Sequence, residues 1–376
     1  MISAPREPEG RSSGDLARIA VLGTGLIGAS IALAARRAGF EVGGWDLDPA
    51  VSARAGETGG LEVAGSLVEA VDGADLIIVC TPIAAVASTV VSALRSAPTA
   101  VVTDAASIKG RVADAVLEAV NVEASSRFVP GHPMGGSERS GPEHASASVV
   151  DGVVWVLAPT PVTDPVALAR VEGFVLRIGA RPVVLTPERH DRLVAFVSHL
   201  PQVASTTLMG LAAIEEADEP EILLLAAGGF RDLTRLAASD PALWSEILLA
   251  NREQIVRAID LYTERLGVLR DRVASGDAVA VEQDFARAKQ ARLGLAAKPQ
   301  VRAGVAVLQV EIPDQPGALA RITAVLGEGD VNIEDLQIVH SPEGGRGTVH
   351  LTVAAPAAND ASAVLRGGGY DPIRLA

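Results

Sequence analysis

Residues 18–28 read Arg18-Ile19-Ala20-Val21-Leu22-Gly23-Thr24-Gly25-Leu26-Ile27-Gly28. The apolar run from Arg18 to Leu22 has the length and composition of a buried strand. Glycines follow it at once in the spacing G-x-G-x-x-G, and Ala29 to Arg37 continues as a helix that Gly39 ends. Glu41 to Trp45 makes a second strand, with Asp46 at its carboxyl end, 18 residues beyond Gly28. Strand, glycine turn, helix and acid-tipped strand together form the dinucleotide-binding fingerprint in its required context. Gly23 makes the tight turn, Gly25 lets backbone N–H groups reach a pyrophosphate, and Gly28 lets helix and strand pack closely. Leu26 and Ile27 open a helix whose N-terminus faces the negative charge. Asp46 suits the two ribose hydroxyls of NAD and repels the 2′-phosphate of NADP; Arg54 lies too far along the chain to reverse that preference.

Outward from this unit the α/β alternation continues. Ala74 to Cys80 is a strand ending at Thr81-Pro82, Val86 to Leu94 a helix, and Ala100 to Thr103 a strand ending in Asp104-Ala105-Ala106-Ser107-Ile108-Lys109-Gly110. In a doubly wound sheet ligands bind beyond the carboxyl ends of the strands, which puts Thr81 and Pro82 beside the cofactor. Arg127 to Pro130 is a further strand, running into a loop, Gly131-His132-Pro133-Met134-Gly135-Gly136-Ser137. Pro133 biases His132 toward extended geometry, and a histidine held on a stiff loop serves as acid or base near neutral pH. Ser107 and His132 thus share the edge where a nicotinamide arrives, and the pair could share a hydrogen bond and grip a substrate hydroxyl. Ser107 could equally cap the helix that begins near Lys109. Val153 to Leu157 and Pro182 to Leu185 carry the strand pattern on.

Bulk properties narrow the function classes. The chain has 376 residues, 48% of them hydrophobic but only 3% aromatic, so its cores are aliphatic. A net charge of −14 argues against nucleic acid and anionic membrane as partners. Cys80 is the only cysteine, which excludes an intrachain disulfide and reads as a buried strand thiol. The apolar run Ile19 to Ala35 is broken by glycines and follows a polar leader, so it is no signal peptide. A soluble cytoplasmic protein is expected, with no metal.

Met1 to about Leu16 is rich in Pro, Ser, Gly and charge and reads as a disordered leader. After Thr186 strand patterns give way to helical periodicity. Asp240-Pro241 starts a helix, with Trp244, Ile247, Leu248, Ile255, Ala258, Ile259, Tyr262 and Leu266 near a 3.6-residue repeat. The apolar faces of this region exceed what one short bundle buries, which suggests a dimer interface. Two polar clusters interrupt it. Ser198-His199-Leu200-Pro201 holds a histidine, and Gly228 to Arg235 sets Arg231 and Arg235 beside a glycine pair, the residue type for fork-like recognition of carboxylate. Each cluster could also be ordinary structure or surface. Lys298-Pro299-Gln300 reads as a linker, and the rest of the chain follows the order βαββαβ, a ferredoxin-like unit.

In combination, Gly23–Gly28, Val79-Cys80-Thr81-Pro82, Asp104–Gly110, Gly131–Gly136, Ser198–Pro201, Gly228–Arg235 and Ser239-Asp240-Pro241 with Trp244 resemble the bacterial prephenate dehydrogenases that carry a C-terminal ACT domain. The resemblance implies an α/β protein in three parts after a leader of residues 1–16. These are a Rossmann-type doubly wound NAD-binding domain over 17–185, an all-helical substrate and dimerisation domain over 186–297, and a ferredoxin-like ACT domain over 303–376. It implies NAD-dependent oxidative decarboxylation of prephenate to 4-hydroxyphenylpyruvate in tyrosine synthesis. His132 would take the ring-hydroxyl proton and Ser107 would orient that hydroxyl. Arg235 would bind a substrate carboxylate, with His199 and Arg231 lining the pocket. In the ACT domain Asp314, Gly317, Asn332 and Ile333 would lie near an effector site, which the resemblance assigns to L-tyrosine. The competing readings are an arogenate dehydrogenase, from which no residue distinguishes it, and a non-catalytic sensor of NAD and an amino acid.

Overall fold

The computed structural model describes residues 16–135, 141–297, 305–313, 315–333, 335–340 and 346–375. The leader up to residue 15, Gly136 and Ser137 of the histidine motif, the linker Lys298–Gln300 and Asp314 lie outside the described residues. The chain divides into two compact units at Val268/Leu269.

In the first unit β1 (Arg18–Leu22), β2 (Glu41–Trp45), β3 (Glu62–Val63), β4 (Leu76–Val79), β5 (Val101–Asp104) and β6 (Phe128–Val129) form one parallel sheet in the order β3-β2-β1-β4-β5-β6. Its central strands β1, from Ile19 on, and β4 are continuously apolar and buried, as expected where helices cover both faces. Alternate side chains feed opposite cores. Ile19, Val21, Leu76 and Ile78 enter one, while Ala20, Leu22, Ile77 and Val79 enter the other. Each fully buried aliphatic chain of this size contributes about 1.5–3 kcal/mol relative to exposure. The strand order reverses between β1 and β4, so the crevice for a ligand opens at their carboxyl ends. Leu16, which falls inside the expected leader, is packed into the first core. Cys80 stands just past β4 rather than within it, and burial, followed by the charge of Asp104, pushes its thiol up.

Two expectations need correction. The His132 stretch is not a loop but a strand, β7 (Gly131–Pro133). Nor do the later strands extend the parallel sheet: β7 pairs antiparallel with β8 (Val154–Leu157), which pairs parallel with β9 (Arg181–Val184), as a separate three-stranded sheet. The cause is local. Pro130 offers no N–H to a ladder. Past it, side chains replace the ladder on the β5 side: Gly131 N donates to Asp104 Oδ1 at 3.0 Å, and Lys109 Nζ donates to the Gly131 carbonyl. The extended geometry that Pro133 imposes on His132 is what a strand needs.

The helices Pro187–Val194, Leu200–Glu215, Gly228–Thr234 and Pro241–Ala250 follow, with a wide π turn at Ala195–His199. Pro201 accounts for that turn, because a proline inside a helix removes one donor and crowds the carbonyl four residues back. The long periodic stretch from Trp244 to Leu266 is interrupted at the buried Asn251, which separates Pro241–Ala250 from the helix Arg252–Ser275. Many large apolar side chains of this region, among them Ile214, Leu224, Leu225 and Leu233, stand exposed.

The second unit holds the helix Ala278–Ala297, then β10 (Val305–Pro313), the helix Ala318–Glu328, β11 (Asp335–His340), β12 (Arg346–Ala354), the helix Ala358–Gly367 and β13 (Ile373–Leu375). The antiparallel sheet has the order β11-β12-β10-β13. Leu308, Val310, Ile322, Leu326, Val349, Leu351 and Leu365 form the core between sheet and helices. This is the expected βαββαβ unit.

Candidate functional site

The glycine loop has the shape of a dinucleotide cradle. A Cβ on Gly23, whose φ is +90°, would fall 2.7 Å from the Cys80 carbonyl and 2.8 Å from Thr81 N, so only glycine lets β1 pass that close to the end of β4. A Cβ on Gly28 would lie 2.0 Å from the Gly23 carbonyl oxygen. Gly25 alone meets nothing within 4 Å and faces open space at the start of the helix Leu26–Arg37. Leu26, the first residue of that helix, is buried, and Ile27 packs against the core that holds Ile19 and Val21. Asp46 accepts Thr24 N at 2.7 Å and Asp48 N at 3.1 Å, which fixes its carboxylate beside the loop. The hydroxyls of Thr24 and Thr81 are buried without a hydrogen-bond partner. Two orphaned hydroxyls, an open glycine and a helix N-terminus fit a pyrophosphate. Pro82 begins the next helix, Ile83–Ser96, at the same edge. Arg54 is drawn into an ion pair with Glu143 at 3.7 Å.

A second assembly grows from the carboxyl end of β5. Asp104 and Lys109 form an ion pair with both side chains fully buried. Asp104 also accepts Ala106 N at 3.0 Å, and so binds the Ser107 turn and the His132 strand to one carboxylate. Burial pushes the Lys109 ammonium down, and Asp104 opposes that shift. The helix Gly110–Ala119 has no cap from its own chain segment. Its first donors, Lys109 N and Gly110 N, both bond the carboxylate of Asp191 at 2.8 Å. Ser107 therefore does not cap this helix. It is half-buried on the turn, and it forms no hydrogen bond with His132.

His132 pairs with another histidine instead. Its Nδ1 lies 2.9 Å from His190 Nε2, and His190 Nδ1 lies 2.8 Å from Asp191 Oδ1. Burial works against the charged form of Asp191, but the bonds from His190, Gly110 and Lys109 outweigh it and hold the carboxyl below its usual range. Burial, then the neighbouring His190, Lys109 and His199, holds His132 well below the usual histidine range, so it is neutral and basic in form. His199, at the end of the π turn, is buried against Trp244, ring to ring at 6.0 Å. Its Nδ1 lies 3.4 Å from the Asn251 amide, which also donates to the Asp191 carbonyl at 2.9 Å. Burial lowers His199 to about 4 despite the opposing charge of Asp191.

The structure thus brings His132 and His199 into one cluster but leaves both arginines outside it. Arg231 bonds the Ala226 carbonyl at 3.3 Å, and Arg235 is exposed on a short 3-10 turn, Arg235–Ala238. That turn is tied to the His199 helix, since Gln202 Nε2 donates to the Leu236 carbonyl at 2.8 Å. Sequence reading missed His190, Asp191 and Asn251. Thr186-Pro187 marks a helix start, and a His-Asp pair in the first turns after it was the available signal. In the second unit Gly317, at φ +83°, starts the helix Ala318–Glu328. Asn332 and Ile333 lie between that helix and β11.

A nucleotide cradle joined to a half-buried neutral histidine, followed by a helical segment, defines a dehydrogenase of the two-domain type. Models of known families match three stretches of the chain. Residues 31–192 match the nucleotide-binding domain of prephenate dehydrogenase, 186–286 its dimerization domain and 306–366 the ACT domain. The chain is 31% identical to the prephenate dehydrogenase of Bacillus subtilis over 343 residues, 89% of this chain and 91% of that one. It is 32% identical to the cyclohexadienyl dehydrogenase of Zymomonas mobilis over 291 residues, 76% of this chain and 98% of the other. Among solved structures, the prephenate dehydrogenase of A. aeolicus in complex with hydroxyphenyl propionate and NAD+ superposes with a TM-score of 0.70 at 27% identity, covering 76% of this chain and all of that one. The arogenate dehydrogenase of Synechocystis follows at 0.66 and 29%, with 74% and 99% covered. The chain belongs to the prephenate dehydrogenase family and is an oxidoreductase.

Proposed function

We propose that this chain is an NAD-dependent prephenate dehydrogenase, a cytoplasmic homodimer feedback-regulated by L-tyrosine through its ACT domain. The observation that carries the catalytic part is the neutral, half-buried His132 held at the carboxyl edge of the sheet that bears the glycine cradle. Gly23, Gly25, Leu26, Ile27, Gly28, Thr81 and Pro82 would hold the dinucleotide, and Asp46 would select NAD. When bound, NAD+ supplies the acceptor for the hydride leaving the substrate ring. His132 takes the proton of the ring hydroxyl on that same carbon, and Ser107 orients the hydroxyl. Loss of CO₂ aromatises the ring, so the driving force lies in the substrate and the protein needs positioning, one base and anion recognition. Arg235 and Arg231 would recognise carboxylate, with His199 lining the pocket. The exposed apolar side chains of the helical region support the dimer. Gly317, Asn332 and Ile333, with Asp314, would form the effector site.

Arogenate dehydrogenase is the second reading, favoured by the similarity to the Synechocystis enzyme. One assay separates them: NADH absorbance with prephenate or arogenate, with and without tyrosine. Prephenate turnover suppressed by tyrosine is expected. Arogenate preferred by about 100-fold, or about 2.7 kcal/mol, would overturn the substrate. A rate indifferent to tyrosine would remove the effector.

A further inference from the structure

The hydrogen bonds behind His132 set its tautomer. The Asp191 carboxylate is anionic and only accepts, so His190 Nδ1 must carry the proton between them at 2.8 Å. A neutral imidazole has one N–H, which leaves His190 Nε2 as an acceptor. The 2.9 Å contact then requires His132 Nδ1 to be the donor. The free lone pair of His132 is therefore on Nε2, the nitrogen turned away from this chain of bonds. The two rings meet edge to face, with centroids 5.1 Å apart and planes 75° apart.

A positive charge left on His132 would be poorly placed. The ring is half-buried, and Lys109 and His199 are both charged or chargeable neighbours. His190 has a carboxylate directly behind it, and that carboxylate is held rigidly by two backbone N–H groups of another helix. We propose that His190 and Asp191 form a proton relay behind His132, so that uptake of a substrate proton at His132 Nε2 moves the His132 Nδ1 proton onto His190 Nε2. This rests on His132 being the base proposed above. At His132 one N–H bond forms and one breaks; at His190 one forms. No electrons pass between the residues, and the charge comes to rest between His190 and Asp191. Aromatisation turns the substrate oxygen into a phenolate, the two transfers reverse, and the proton returns to that oxygen. His190 is a positioning and relay residue, since it acts only through His132.

His190→Gln tests the relay in the full-length protein. A carboxamide oxygen still accepts the His132 Nδ1 proton hydrogen bond but cannot take the proton. We expect kcat for prephenate and NAD+ to fall 10- to 100-fold, with KM for both within twofold. Wild-type kcat in this variant would overturn the relay and leave His190 as an orienting acceptor. Histidine ¹⁵N NMR of the wild-type protein without substrate, assigned with His132→Asn, gives a reading that needs neither turnover nor the Gln variant. Nδ1–H tautomers at both His132 and His190 are expected, and an Nε2–H tautomer at His132 would overturn the proposal. A wild-type enzyme inert toward both prephenate and arogenate would instead sink the proposed function, and the NMR result would still decide the tautomers.

Discussion

The cradle and the histidine cluster sit on one sheet edge but are built in opposite ways. The cradle is mostly contiguous. Gly23 to Gly28 supplies the turn, and only Asp46 and Cys80-Thr81 come from elsewhere. It is open at Gly25 and gains little from the surrounding core. The cluster draws Asp104, Lys109, His132, His190, Asp191, His199 and Asn251 from five segments and buries most of them. Its polar groups satisfy one another, so each stands in for partners that water would otherwise supply. Damage to the cradle should therefore cost ligand, and damage to the cluster should cost both chemistry and fold.

His132→Asn is expected to give the largest effect. Removing the base should lower kcat by about 10³-fold, equivalent to about 4 kcal/mol, while NAD binding followed by NADH or tryptophan fluorescence stays unchanged. An equal loss of NAD affinity would show that the two regions are not separable. Next comes Asp104→Asn, which leaves the fully buried Lys109 without its anion and loosens both the Ser107 turn and Gly131. Stability in urea should fall by about 3–4 kcal/mol, the cost of breaking a buried ion pair on one side. A loss below 1 kcal/mol would mean that Lys109 is already neutral.

The same contrast explains what was legible in the sequence. A fingerprint written in consecutive residues, with strand and helix around it, carries its own geometry, so Gly23, Gly25, Gly28 and Asp46 could be read directly. So could the βαββαβ order of the last unit, because period-2 and period-3.6 patterns are local. His132 was found from a Gly-His-Pro run, but as a loop, since nothing in that run reveals that Asp104 and Lys109 side chains take over the ladder at Gly131. His190 and Asp191 were missed because a His-Asp pair near a helix start is a weak signal, and their importance lies in contacts 58 and about 80 residues away. Periodicity hid Asn251 as well, because it continues across the break.

Acid should reveal the cluster through stability alone. His199 falls to about 4 in the folded protein from a normal 6.5, as burial outweighs the pull of Asp191. Between these values the unfolded chain binds a proton that the folded chain refuses, so stability declines as pH drops from 6.5 toward 4. The decline is about 3 kcal/mol for this residue at its limit, and His132 adds in the same direction. Urea midpoints across that range would show it, and His199→Gln should flatten the slope. An unchanged slope would place the acid sensitivity elsewhere.

Gly25→Ala should do the least to the protein and still harm the cofactor. The added methyl meets no protein atom within 4 Å, and the backbone there has no positive φ to forbid it. Its melting temperature should match the wild type within a degree or two. The methyl does occupy the open space beside the helix N-terminus, where a pyrophosphate must approach the backbone. A tenfold weaker Kd for NAD, about 1.4 kcal/mol, is the expected result. Gly28→Ala is the contrasting control, because its methyl collides with the Gly23 carbonyl at 2.0 Å and should lower stability as well. If Gly25→Ala bound NAD normally, the space at Gly25 would not be the pyrophosphate site, and the cradle would have to be located instead by the unpartnered hydroxyls of Thr24 and Thr81.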